Sequence, residues 1–239
     1  MALFVLGDTH LSLGGSKPMD VFGGAWVDYV DKLRAGFQVV EETDTVVLCG
    51  DISWGMSLPE AKPDFQFLQE LLPGRKILLK GNHDYWWETV AKMTRFFEAE
   101  GLENFEFLHN NCLCYRDIAL CGTRGWFLDV EKGPHNEKML RREVMRLEAS
   151  LIRTVLDRAA ALRGEGRTEL PFSAYPPLYQ GYHCQEITEL LTRYQVQRCY
   201  YGHLHGRSTR AAFEGDYQGT AFSLVSADHL NFVPKQILA

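Results

Sequence analysis

The sequence predicts an α/β layered fold, and three observations carry that expectation. Short apolar runs alternate with segments of helical periodicity through the first hundred residues. That alternation is the sequence signature of sheets covered by helices. Each of the early apolar runs hands over to a glycine followed by a polar residue. In α/β folds, ligand sites gather beyond the carboxyl ends of the strands. Finally, 239 residues of which 46% are hydrophobic suffice for one sizeable core but leave little for a second full domain. Residues 1–239 are therefore read as one domain.

The elements follow in order. Residues 2–6 form an apolar run ending in Gly-Asp and read as a buried strand. Val27, Val30, Leu33, Phe37 and Val40 recur every three or four residues, which predicts a helix face. Residues 45–49 are a second strand, again ending in Gly-Asp. Residues 59–72 predict a helix that tolerates Pro63 and stops at Pro73-Gly74. Residues 76–79 are a third strand ending in Gly-Asn-His-Asp, and a helix is expected over 86–98. The second half predicts short strands at 105–109, 113–115 and 118–121. A long helix follows at 137–162, with Leu140, Val144, Leu147, Leu151 and Val155 on one face. A strand at 169–173, a helix at 184–194 and a strand at 197–201 come next, then strands near 208–213 and 220–225. The loop at 129–135 and Gly164 to Gly166 are the expected flexible points.

Composition narrows the function classes. The formal net charge of -6 argues against an extended nucleic-acid surface, which is usually basic. It does not exclude an anionic substrate, because a bound metal inverts the local field. No run reaches the roughly 18 apolar residues of a membrane span. The N-terminus lacks the basic segment of a signal peptide. The six cysteines form no CxxC pair and read as buried free thiols in a reducing cytoplasm.

Four clusters carry the chemistry: Asp8-Thr9-His10, Gly50-Asp51, Gly81-Asn82-His83-Asp84 and Gly202-His203-Leu204-His205. Each follows a predicted strand. Imidazole suits zinc, iron, nickel and copper, whereas carboxylate suits manganese and magnesium; the mixed set favours a first-row divalent metal. Residues two apart in an extended segment point the same way, so Asp8 with His10, and His203 with His205, reach a common region. The preceding glycines permit sharp turns where side chains converge. Each cluster alone has an ordinary explanation in turn or capping chemistry. Four in this order, all at strand ends, are not explained by packing.

This ordered set resembles the calcineurin-like metallophosphoesterase superfamily, from Asp8 to His205. The resemblance implies a four-layer α/β/β/α sandwich of two mixed sheets flanked by helices. It implies two divalent metal ions, of manganese, iron or zinc. Asp8, His10 and His205 would hold the first, Asn82 and His203 the second, and Asp51 would bridge them. His83 would act at the leaving group, and Asp84 would orient His83. The implied reaction is hydrolysis of a phosphomonoester or phosphodiester by a metal-bridging hydroxide.

One departure stands out. Relatives carry a histidine just before a Tyr-Pro-Pro-like segment, and here Ala174 precedes Tyr175-Pro176-Pro177. Alanine binds no metal, so the second site is expected to be weakened or completed by water. His183 and Tyr175 are the alternative donors. The rival reading is a non-catalytic relative that serves as a binding or scaffold module. Arg124 is a candidate substrate ligand that would grip a phosphate oxygen, against a structural ion pair. Trp54 and Met56 line a pocket mouth or pack beneath it, and Trp86 and Trp87 read as core. The expected partner is a small phosphoester, with no membrane and no extended nucleic-acid surface.

Overall fold

The computed structural model describes residues 1–15, 17–126, 134–160 and 169–239. The first sheet contains β1 (Leu3–Leu6), β2 (Thr45–Cys49), β3 (Arg75–Leu79) and β4 (Phe105–Leu108) in parallel. The last strand, β13 (Lys235–Leu238), joins its edge antiparallel to β1. The second sheet is built from β5 (Cys112–Tyr115), β6 (Ile118–Thr123), β7 (Glu169–Ser173), β10 (Arg198–Tyr201), β11 (Gly215–Tyr217) and β12 (Thr220–Leu224). Its spatial order is β11-β12-β10-β7-β6-β5, with antiparallel pairs at both edges. Both sheets are therefore mixed. A small hairpin of β8 (Leu178–Tyr179) and β9 (Tyr182–His183) stands apart.

Strand periodicity explains the layers. Leu3, Val5, Val47, Cys49, Ile77 and Leu79 point one way and meet Leu120, Leu170, Phe172 and Tyr200 of the second sheet. Their alternates, Phe4, Leu6, Val46, Leu48 and Leu78, point outward under α1 (Tyr29–Gly36), α2 (Leu58–Leu71) and α3 (Val90–Ala99). The outer face of the second sheet, with Cys121, Cys199 and Tyr201, packs under α4 (Pro134–Ala160) and α5 (Gln185–Arg193). Three apolar layers between four structural ones make the α/β/β/α sandwich. Leu140, Leu147 and Leu151 are the buried stripe of α4, as the periodicity predicts, and Val144 packs against it. Among the described residues, no helix is long and apolar enough to cross a membrane.

Several boundaries differ from the sequence expectation. The helix expected over Val27–Val40 is confined to Tyr29–Gly36. Asp28 at its start is left-handed (φ 55), and Val27 before it is exposed. Past Gly36, which packs against the Phe232 carbonyl too closely for a Cβ, the chain tightens into a 3-10 turn, Phe37–Val39. The helix expected at 86 starts at Val90, where the Thr89 side chain accepts a hydrogen bond from the Lys92 amide. The strand expected at 208–213 is a 3-10 segment, Gly206–Ala211. Ser208 Oγ donates to the His205 carbonyl at 2.7 Å and Thr209 Oγ1 to that of Gly206 at 2.8 Å. Such local bonds compete with strand pairing. Gly164 to Gly166 and most of the loop at 129–135 lie outside the described residues; Pro134 and His135 open α4. Of the six cysteines, Cys49, Cys121, Cys184 and Cys199 are buried as expected, while Cys112 is half-buried and Cys114 exposed.

Candidate metal centre

The sequence clusters converge at the carboxyl ends of strands from both sheets. Asp8 and His10 follow β1, Asp51 follows β2, Asn82, His83 and Asp84 follow β3, and His203 and His205 follow β10. The chain reaches this convergence by left-handed turns taken by the polar residues themselves. Asp8 (φ 58), His10 (φ 45), Asp51 (φ 48) and His203 (φ 77) all have positive φ. Left-handed non-glycine residues are costly and cluster at functional sites. The neighbouring glycines mainly supply room instead of the turns expected of them. A Cβ on Gly81 would collide with the Asp51 amide and carboxylate, and one on Gly202 with the Asp8 carboxylate. Gly50 (φ 83) is the one that also supplies a turn.

Asp8, His10 and His205 place ligand atoms within 4.8 Å of one another, enough to hold a metal ion. His10 Nε2 lies 3.2 Å from His205 Nε2 and 3.9 Å from Asp51 Oδ2. His205 Nε2 lies 3.5 Å from Asp8 Oδ1. Behind it, His205 Nδ1 is 3.0 Å from Asp228 Oδ1, and Asp228 Oδ2 accepts from the Gly206 amide at 2.7 Å. Next to this set, His203 Nδ1 lies 3.1 Å from Asn82 Oδ1, and Asp51 Oδ1 accepts from the His83 amide at 2.7 Å. The six residues expected to hold metal are thus brought to one place.

The electrostatics fit a cation. Burial, and then the nearby Asp8 and Asp84 charges, push the Asp51 carboxyl well above its ordinary value. Burial, reinforced by His205, lowers His10 to about 3, so its imidazole is neutral and has a lone pair to donate. His203 falls to about 4, chiefly through burial. Burial alone would lower His205, but Asp8 and Asp228 outweigh it and lift it to about 10. For Asp8, His205 and His10 outweigh burial and hold the carboxyl below its usual range. Buried carboxylates that need a proton or an imidazolium to coexist are the setting a divalent cation would relieve. The mixed imidazole and carboxylate donors suit a first-row metal.

Asp84 differs from its expected role. Its carboxylate accepts from the Ile52 and Ser53 amides (2.8 and 3.2 Å), the Gly81 amide (2.7 Å) and Trp86 Nε1 (3.0 Å). Among the described residues, His83 Nδ1 has no hydrogen-bond partner. Asp84 therefore ties the loop after β2 to the loop after β3 and does not grip the His83 ring. His83 instead rests on Trp54, ring centroids 4.3 Å apart, and burial lowers its pKa. Trp54 also stacks on His10 at 5.2 Å, so it both packs and lines the mouth. Trp86 and Trp87 are buried, as expected of core residues.

Arg124 faces Glu143 of α4 at 3.6 Å and covers the Trp126 ring at 4.7 Å. That is the structural ion pair weighed against the phosphate grip. Ala174 is buried against Gly50, where an added Cβ would come within 2.6 Å of its methyl. Of the alternative donors, His183 lies elsewhere, hydrogen-bonded to Thr188 Oγ1 at 2.7 Å and packed on Tyr217. The Tyr175 ring lies 4.4 Å from that of His203. Burial, then the Asp51 charge, raises its phenol to about 12, so it stays protonated. Asp228 and Trp26 were missed in the sequence. Asp228 follows β12 just as Asp8 follows β1, but no glycine precedes it to mark the turn.

Fold and geometry together define a two-sheet α/β protein with a buried carboxylate–imidazole cluster at its strand ends. The family model of the calcineurin-like phosphoesterases matches residues 1–207, and the chain belongs to that family. TT1561 of Thermus thermophilus is 14% identical, with a TM-score of 0.50 over 85% of this chain and 81% of that one. AQ665 of Aquifex aeolicus, titled a protein of unknown function, is 14% identical with a TM-score of 0.48 over 98% and 95%. The purple acid phosphatase PPD1 from yellow lupin (Lupinus luteus) seeds is 14% identical with a TM-score of 0.49, covering 94% of this chain and 43% of its own. At such identity the likeness to TT1561 speaks to the fold alone. No curated protein matches the chain.

Proposed function

We propose that this protein is a metal-dependent phosphoesterase that hydrolyses a phosphomonoester or phosphodiester at a centre of two divalent ions. The observation that carries the proposal is the convergence of Asp8, His10 and His205, within 4.8 Å, beside Asp51, Asn82 and His203. In this reading Asp8, His10 and His205 hold one ion, Asn82 and His203 the other, and Asp51 both. Manganese, iron and zinc suit the donors. Such ions, when bound, supply Lewis acidity toward the phosphoryl oxygens and lower the pKa of water.

The chain's own residues do the rest. Asp228 holds Nδ1 of His205 and so presents Nε2 to the cluster. Asp84 locks the loops that carry Asp51 and Asn82 together. His83, pinned by its amide to Asp51 and by its ring to Trp54, faces the cleft, where its imidazole would serve the departing oxygen. Arg124 stays a candidate for the substrate only if it leaves Glu143.

The test is hydrolysis of p-nitrophenyl and bis-p-nitrophenyl phosphate by manganese-loaded protein. Asp51→Ala should lose both metal and activity. His83→Ala should keep its metal and lose about 100-fold or more in kcat. Full activity and two ions in Asp51→Ala would overturn the proposal. A second reading rests on Ala174, whose methyl sits against Gly50: a non-catalytic relative that binds metal or a partner. Full metal loading without turnover of any phosphoester would favour it.

A further inference from the structure

Beside the metal cluster opens a cleft of about 730 Å³. Its floor carries His10, His83 and His205. Volumes of 300–1,000 Å³ accommodate whole organic ligands, so a phosphoryl group at the floor fills a small part of it. Its large apolar walls are Met19, Phe22, Trp26 and Trp54, beside backbone of Gly23, Gly24 and Gly206.

These walls are built in different ways. Trp26 is buried and held edge-on by Tyr29 at 5.8 Å and Phe232 at 5.2 Å. Trp54 is fixed by its stack on His10 and by Nε1 donating to Met19 Sδ at 3.4 Å. Phe22 ends the 3-10 turn Met19–Phe22 and is 70% exposed. Gly23 and Gly24 follow it with φ of 63 and 58, and a Cβ on either would meet open space. A single exposed phenylalanine is ordinary. One on the wall of a cleft with two fixed indoles, above three imidazoles, is a binding surface in waiting. Among the described residues, the charged side chains of the cleft beyond that floor are Arg207, which is exposed, and Asp228, which is engaged by His205 and Gly206. A hydroxyl-rich group would find few partners there.

We infer that this cleft is the leaving-group subsite, and that it selects phosphoesters whose organic part is flat and aromatic. The inference rests on the phosphoesterase reading and adds the substrate class. Phe22, Trp26 and Trp54 are its specificity residues.

The experiment compares 2-naphthylmethyl phosphate with methyl phosphate on manganese-loaded protein. Both release alkoxides of similar basicity, so the difference reports on the subsite. The naphthyl ester should have the higher kcat/KM by about tenfold or more, given the apolar area it would bury. In Phe22→Ala that ratio should fall by about threefold or more. A nucleoside 5′-phosphate run alongside separates a nucleobase from a hydrocarbon ring as the preferred occupant. Equal kcat/KM for the naphthyl and methyl esters would overturn the inference, as would an unchanged ratio in Phe22→Ala. Calorimetry with 2-naphthylmethylphosphonate and methylphosphonate reads the subsite without turnover. If no ester is cleaved, the phosphoesterase reading fails. Tighter binding of the naphthyl phosphonate would still support an aromatic subsite, and equal binding would refute it.

Discussion

Asp228 acts on the cluster without facing it. Its carboxylate fixes the ring of His205 from behind, at 3.0 Å. Outer partners of this kind set ligand tautomer and orientation. Asp228→Asn keeps the size of the side chain but weakens that grip. Metal affinity should fall about 10- to 100-fold, read by competition with a chromophoric chelator. An unchanged affinity would show that His205 needs no support. Lys76 is a different residue-scale case, because it lies far from the chemistry. Its Nζ is buried and donates to the carbonyls of Leu72 (2.6 Å) and Gly74 (2.9 Å). Burial lowers its pKa from 10.5 to about 8, only partly opposed by Glu103. The folded chain therefore gives up this proton before the unfolded chain does. The penalty of the buried charge is whole below pH 8 and is relieved as pH rises toward 10.5. Lys76→Met should gain on the parent by about 2 kcal/mol more at pH 7 than at pH 10. Urea unfolding at the two pH values measures the difference, and a gap independent of pH would contradict the assignment.

At the scale of elements, the loops after β1, β2 and β3 are held by backbone proximity as much as by ligands. Gly81 and Gly202 leave no space for a methyl group. Gly81→Ala should destabilise the fold by about 3 kcal/mol and release metal, because the Asp51 loop must move. Gly23→Ala meets only open space, and its cost of about 2 kcal/mol should come from the backbone alone, since φ 63 with ψ -161 is essentially reserved for glycine. Thermal unfolding of the two variants gives the contrast. Asp84→Ala would orphan four donors on two loops and should cost about 3 kcal/mol or more. Differential scanning calorimetry measures it, and a loss below about 1 kcal/mol would mean that water replaces the carboxylate.

Much of this was legible in the chain because strand ends and side-chain chemistry are local. Leu3–Leu6, Thr45–Cys49 and Arg75–Leu79 announce themselves as apolar runs, and each delivers its Asp or Asn where the pattern says it should. What stayed hidden depends on contacts far apart in sequence. Gly36 packs against the Phe232 carbonyl, and Asp228 reaches back to His205. The β11 and β13 strands, Gly-Asp-Tyr and Lys-Gln-Ile-Leu, carry no continuous apolar run that would mark them. The anchoring role of Asp84 stayed hidden for the same reason, since two of its partners, Ile52 and Ser53, belong to a loop that only folding brings to it.

At the scale of the molecule, the proposed ligands are divided between the sheets. Asp8, His10, Asp51 and Asn82 come from the first, His203 and His205 from the second. Ligands that bind only the folded state stabilise it by mass action, about 2.7 kcal/mol at a hundredfold excess over Kd. Chelation should therefore lower the melting temperature, and manganese should restore it; an unchanged midpoint would argue that the ions sit elsewhere. The same division has a mechanical meaning. The sheets meet across an apolar interface, where the Gly7 amide donates to the Val225 carbonyl at 2.7 Å. An ion held by both halves would act as a clasp at one end of that seam. Unclasped, the seam would part from that end first, and amide deuterium uptake should rise earliest at Gly7 and Ala227, whose amides bond across it.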